Sequence, residues 1–138
     1  MEAAFAKATD SLPAIFDFVE KFTKENRLGE ELTLMLQFVI EEMFINMVRY
    51  NSESKNDVTI QFRVEGNELL VTLIDHDVHY FDPRDRPPVD VTRPVEERMP
   101  GGLGIHLTRQ MMDDIRYEYV DRTSKITLVK RLGSPKSC

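Results

Sequence analysis

Cysteine is almost missing from this 138-residue chain: Cys138, in a terminal polar tail, is the only one. That excludes an internal disulfide and any cysteine-based metal centre. No apolar run reaches the ~18 residues a membrane helix needs, and no basic stretch leads into a hydrophobic one. Neither a span nor a secretory leader is read, so a cytoplasmic protein is expected. Positive charge is short as well, with 18 Lys and Arg against 24 Asp and Glu and a formal net charge of −6. Such a field repels phosphate backbones and acidic lipids, which argues against nucleic acid or a membrane as the main partner. His76, His79 and His106 have neither a helical HExxH pattern nor a cysteine beside them and form no metal-ligand set. Internal repeats and low-complexity tracts are absent too.

What is present suffices for a core. At 41% hydrophobic residues, the length suits one domain over residues 1–138. Residues 3–8 read as a short edge strand. Asp10 or Ser11 then caps a helix that Pro13 enters in its first turn and that ends near Asn26. A second helix runs from about Gly29 to Tyr50, followed by a polar loop over 51–56. Val58, Ile60, Phe62 and Val64 alternate, Gly66-Asn67 turns the chain, and 69–74 is nearly all apolar, which together make a hairpin. Residues 76–100 hold five prolines and many charges and carry no regular element, as a lid or binding loop would. A glycine-led helix follows, with Leu107, Met111 and Ile115 on one side. Strands at 116–120 and 126–132, joined around 121–124, precede a flexible tail at about 133–138. Hairpins with helices grouped apart give an α+β two-layer sandwich, a mostly antiparallel sheet covered on one face.

Three places carry chemistry. On the second helix Leu32, Met35, Leu36, Val39, Met43, Met47 and Tyr50 form an apolar stripe. With Val39 as zero, Asn46 falls about 20°, Glu42 about 60° and Arg49 about 80° to one side, while Glu41 points nearly opposite. A polar ridge at the edge of a buried face needs a reason, because an unpartnered buried amide or carboxylate costs on the order of a few kcal/mol. Either Asn46 bonds a neighbouring loop and Glu42 pairs with Arg49, or Glu42 and Asn46 aim two oxygens into a pocket, a spacing that suits Mg²⁺ held mainly by substrate phosphates. Asp75, where the chain leaves the second hairpin strand, is either a turn residue or an acceptor for an exocyclic amine. The run Gly101-Gly102-Leu103-Gly104-Ile105 enters a helix, and there free N–H groups and the helix dipole either bind phosphate or simply cap a loop. The methionines, among them Met43, Met47, Met111 and Met112, read as core filler.

Taken together, these segments resemble the Bergerat-fold (histidine kinase-like) ATPases, and most closely the bacterial anti-sigma-factor serine/threonine protein kinases. Glu42-Met43-Phe44-Ile45-Asn46 is similar to the family's N-box. Asp75-His76-Asp77 with Phe81-Asp82-Pro83 resembles its Asp-x-Gly box, and Gly102-Leu103-Gly104 with Met112-Asp113 its Gly-x-Gly box and helix. The resemblance implies ATP and Mg²⁺ as cofactors, with Asn46 as the metal ligand and Asn46, Arg49, Asp75, Gly102, Leu103, Gly104 and Ile105 binding nucleotide. It implies that Asp75 accepts from the adenine amine, that residues 84–100 act as an ATP lid, and that Glu42 is the general base for a serine hydroxyl. A sigma factor or similar regulator and a small antagonist protein would be the partners, and a homodimer is compatible with the family. Asp77 stands where the family has glycine, and His79 adds a residue before Phe81. That departure supports the alternative of a non-catalytic interaction module with a degenerate pocket. A histidine-kinase catalytic domain is less expected, because no phosphoacceptor helix is read ahead of the fold.

Overall fold

Strict alternation and helical spacing become a five-stranded antiparallel sheet with helices packed on it, an α+β architecture. The computed structural model describes residues 1–50, 56–76 and 102–132, with backbone alone at Tyr50 and 102–106. Their elements are β1 (Glu2–Phe5), α1 (Leu12–Glu25), α2 (Glu30–Tyr50), β2 (Val58–Glu65), β3 (Glu68–Asp75), α3 (Gly102–Met111), β4 (Asp114–Val120) and β5 (Thr123–Arg131). The strand order is β1-β2-β3-β5-β4, and every neighbouring pair is antiparallel.

The core lies between one sheet face and the helices. Val58, Ile60 and Phe62 of β2, Leu69, Val71 and Leu73 of β3, and Ile126 and Leu128 of β5 meet Ile15, Val19 and Phe22 of α1 and Leu36, Val39, Ile40, Met43, Phe44 and Met47 of α2. Each large apolar side chain so buried contributes about 1.5–3 kcal/mol relative to exposure. Phe62 stacks on Phe22 with centroids 4.4 Å apart and also touches Phe18, which locks α1 to the sheet. On the opposite face Leu70, Thr72, Thr127 and Val129 of the central strands are buried too, which explains the nearly continuous apolar run at 69–74. Between β2 and β3, Gly66 takes φ +60° at the first turn residue, as a type II′ hairpin requires.

Several boundaries differ from expectation. The first strand stops at Phe5, because the chain turns at once, with the Ala8 N–H bonded to the Ala6 carbonyl at 2.8 Å. Ser11 does not cap α1 through its side chain; its Oγ donates back to the Ala6 carbonyl at 2.7 Å, and a single 3-10 turn at Thr9–Ser11 leads into the helix. The end of α1 holds as expected, with Arg27 at φ 55° and Leu28 N–H reaching Thr23 O at 2.9 Å in a Schellman closure made without glycine. Ile115 is not on the glycine-led helix. That helix ends at Met111, whose carbonyl accepts from Lys130 Nζ at 2.9 Å. Asp113 N–H then bonds Val129 O at 2.8 Å, and its carboxylate accepts from Arg131 N, so pairing with β5 takes over from a further helical turn. The last two strands also begin earlier than expected. Asp121 and Arg122 both adopt left-handed backbone, making a two-residue turn that releases Thr123 and Ser124 into β5.

Candidate functional site

The site grows from the last turns of α2, where a polar amide interrupts the apolar stripe. Asn46 is 2% exposed. Its Nδ2 donates to the Glu42 carbonyl at 2.6 Å, a bond only the NH₂ end can make, so the other end is Oδ1. Oδ1 is buried and has no hydrogen-bond partner among the described residues. An orphaned carbonyl oxygen in a packed helix costs about 1–3 kcal/mol. It is also the hard oxygen donor that Mg²⁺ accepts when phosphates and water complete its shell. The described residues hold no cluster of three or more His, Cys, Asp or Glu that could cage a metal by itself. A metal held at Asn46 Oδ1 would need its remaining ligands from outside such a cluster.

One turn earlier Glu42 is partly buried, and its carboxyl is raised above the ordinary value near 4.5, first by burial and then by Glu41, against a smaller lowering by Arg49. Glu42 makes no ion pair among the described residues, so the simple reading in which Arg49 neutralises it does not hold. Arg49 is exposed and acts on Glu42 only at a distance. The result is a carboxylate with increased proton affinity, the property a general base needs.

Asp75 closes β3 in phase with Leu69, Val71 and Leu73, so its carboxylate points to the helical side of the sheet. It is not a surface turn residue. Its side chain is fully buried, and Oδ1 lies 2.6 Å from Nζ of Lys7, itself 3% exposed. Asp75 stands opposite Val58 on β2 and opposite Ser124 on β5, where Ser124 is buried as well. Neither Lys7 nor Ser124 was expected at the site. Lys7 belongs to no periodic element, and Ser124 was assigned to a loop; reading 121–122 as a tight turn would have placed it in the strand.

Gly102, Leu103, Gly104 and Ile105 form the first turn of α3, whose N–H groups a helix leaves without intrahelical partners. α3 packs against α2, so the glycine-led turn and the Asn46 helix belong to one layer above the sheet edge that ends in Asp75. Gly101, Asp77, His79, the Phe81-Asp82-Pro83 segment and the expected lid at 84–100 lie outside the described residues. No described helix is long and apolar enough to cross a membrane.

Comparison with known proteins agrees with this fold. The histidine kinase-like ATPase domain family matches residues 5–130. The serine-protein kinase RsbW of Bacillus velezensis is 31% identical over 88 residues, covering 60% of this chain and 55% of the relative. RsbW of Bacillus thuringiensis is 31% identical over 85 residues, covering 59% and 53%. The chain thus spans about half the length of the curated relatives it matches. Among solved structures, the histidine kinase AdeS of Acinetobacter baumannii superposes with a TM-score of 0.54 at 15% identity, covering 97% of this chain and 68% of that one. At that identity the likeness is one of fold.

Proposed function

This chain belongs to the histidine kinase-like ATPase domain family, and from that membership we propose that it is an ATP-binding, anti-sigma-factor-type regulator that phosphorylates a small antagonist protein on serine. The observation that carries the proposal is the pair on α2: an unpartnered buried oxygen at Asn46 and, one turn away, a carboxylate of raised proton affinity at Glu42. The partial similarity to RsbW serine-protein kinases supports the same reading.

In this reading residues 1–138 act as one nucleotide-binding domain in the cytoplasm, with a sigma factor or similar regulator and the antagonist as protein partners. Asn46 Oδ1 holds Mg²⁺, which when bound neutralises charge on the phosphates. The first-turn N–H groups of Gly102 to Ile105 bind phosphate oxygens, and the positive end of the α3 dipole adds to their pull. Asp75 accepts from the exocyclic amine of adenine, with the Ser124 hydroxyl beside it as a second polar group for the base edge. Glu42 takes the proton from the attacking serine hydroxyl, and Arg49 offsets negative charge at the mouth of the site.

Calorimetric titration of Mg-ATP into the native chain tests binding, and transfer of labelled phosphate to the antagonist tests catalysis. Glu42→Ala should retain binding and lose transfer; normal transfer by that variant removes Glu42 as the base. A second reading, a non-catalytic interaction module, is favoured by Asp77 in place of glycine. It predicts weak or no Mg-ATP binding by the native chain, and stronger binding in Asp77→Gly if the Asp77 side chain is what obstructs the pocket.

A further inference from the structure

The buried ion pair between Lys7 and Asp75 has no counterpart among the residues considered so far. A carboxylate sealed from water at the end of the middle strand β3 is paired with an ammonium from just beyond the edge strand β1. β1 aligns Phe5 with Val58, and Val58 aligns with Asp75, so Lys7 reaches from just beyond β1, across the start of β2, to the end of β3. Strands two places apart are separated by about 9–10 Å, a gap that takes a long side chain to bridge. The turn that sends Lys7 in this direction is itself held, by Ala8 N–H and Ser11 Oγ on the Ala6 carbonyl at 2.8 and 2.7 Å.

We propose that Lys7 is a positioning residue for base recognition: its ammonium fixes Asp75 as an oriented carboxylate, so that Asp75 serves as an acceptor for the exocyclic amine of the purine. The proposal rests on the nucleotide-binding reading above. A buried carboxylate without a counter-charge takes up a proton and becomes a donor as well as an acceptor, which weakens its selectivity for an N–H group. A carboxylate has about four lone-pair sites, so an ion pair with Lys7 at Oδ1 does not by itself exclude a ligand amine, and the pair supports the base rather than competing with it. Recognition of the base is thereby tied to docking of the N-terminal edge strand.

The experiment compares three probes on the full chain by calorimetry: Mg-ATP, Mg-purine riboside triphosphate, which lacks the 6-amino group, and Mg-tripolyphosphate, which lacks the base. Native protein should favour ATP over purine riboside triphosphate. Lys7→Met should lose roughly tenfold or more in ATP affinity and most of that preference, a factor in keeping with one hydrogen bond to a charged group. Tripolyphosphate should bind Lys7→Met as it binds the native chain, and Lys7→Arg should restore the preference. Lys7→Gln, which keeps a donor without charge, is measured alongside so that misfolding of Lys7→Met leaves the question decidable; it too should lose the preference. Lys7 variants that keep the native preference, or that lose the same factor for all three probes, overturn the proposal. Failure of the native chain to bind Mg-ATP at all overturns the proposed function instead.

Discussion

Replacing Asn46 by leucine should separate stability from function in a direction opposite to most core substitutions. The amide Oδ1 is buried without a partner, while Nδ2 bonds the Glu42 carbonyl at 2.6 Å. Leucine has the same branched heavy-atom shape, so no cavity opens, and it removes a polar oxygen whose desolvation costs about 1–3 kcal/mol, although its larger methyl groups crowd the site and offset part of that gain. Against this stands the lost Nδ2 bond, worth about 0.5–1.5 kcal/mol net. Those two contributions alone leave between a loss of about 0.5 and a gain of about 2.5 kcal/mol for the ligand-free protein, at most a rise of ~10 °C in Tm at about 4 °C per kcal/mol for a chain of this size, and the crowding by leucine lowers it further. Urea unfolding followed by far-ultraviolet circular dichroism, in buffer free of Mg²⁺ and nucleotide, measures it directly. In saturating Mg-ATP the order should reverse. At about 100 times its Kd a ligand adds about 2.7 kcal/mol to the native protein, whereas Asn46→Leu should gain little. A loss of more than 2 kcal/mol without ligand, together with unimpaired Mg-ATP binding, would refute the reasoning and make Asn46 a purely structural residue.

Glu42→Gln should abolish phosphotransfer and flatten the acid limb of stability. Because Glu42 is raised by burial and by Glu41, the folded chain binds its proton more tightly than the unfolded one. Stability therefore falls as pH rises from about 4.5 through the raised value, and above it the charged carboxylate is a standing cost, reduced by its partial exposure. Tm measured against pH should show that decline in native protein and lose it in the variant, while transfer by native protein should fade as pH drops through the same window. Asp75→Ala removes the buried counter-charge of Lys7 and should destabilise by about 3–5 kcal/mol in urea titration, even without nucleotide. Gly66→Ala meets no atom within 4 Å, so its cost, about 1 kcal/mol, should come only from the left-handed φ of +60°. A much larger loss would mean that the β2–β3 turn tolerates no adjustment.

Where a residue sat on a periodic element, its place could be read in advance. Val58, Ile60 and Phe62 alternate and are buried on one face, and the stripe from Leu36 to Met47 faces the sheet. The position of Asn46 followed from the same angular arithmetic. What that arithmetic lacked was the pairing of atoms: it left open whether Glu42 met Arg49, and only coordinates show that it does not. Boundaries failed where backbone geometry, not side-chain pattern, decides. Asp121 and Arg122 adopt left-handed conformations without glycine or asparagine to signal them, and Ile115 fits a helical spacing from Met111 equally well as it fits the strand. Lys7 was missed for a different reason: its partner is 68 positions away in the sequence, and its segment was read as a continuing edge strand rather than as the turn that follows Phe5.

A common signal runs through the candidate site. Asn46 in the α2 stripe and Asp75 in the inward phase of β3 each place a polar side chain where the element demands an apolar one. Every such placement costs free energy unless something answers it. For Asp75 the answer is Lys7, within the protein. For Asn46 Oδ1 the described residues supply none, a standing cost of about 1–3 kcal/mol that the proposed metal site would offset. The two polar interruptions therefore differ: Asp75 has a buried counter-charge in Lys7, whereas Asn46 Oδ1 has no hydrogen-bond partner among the described residues.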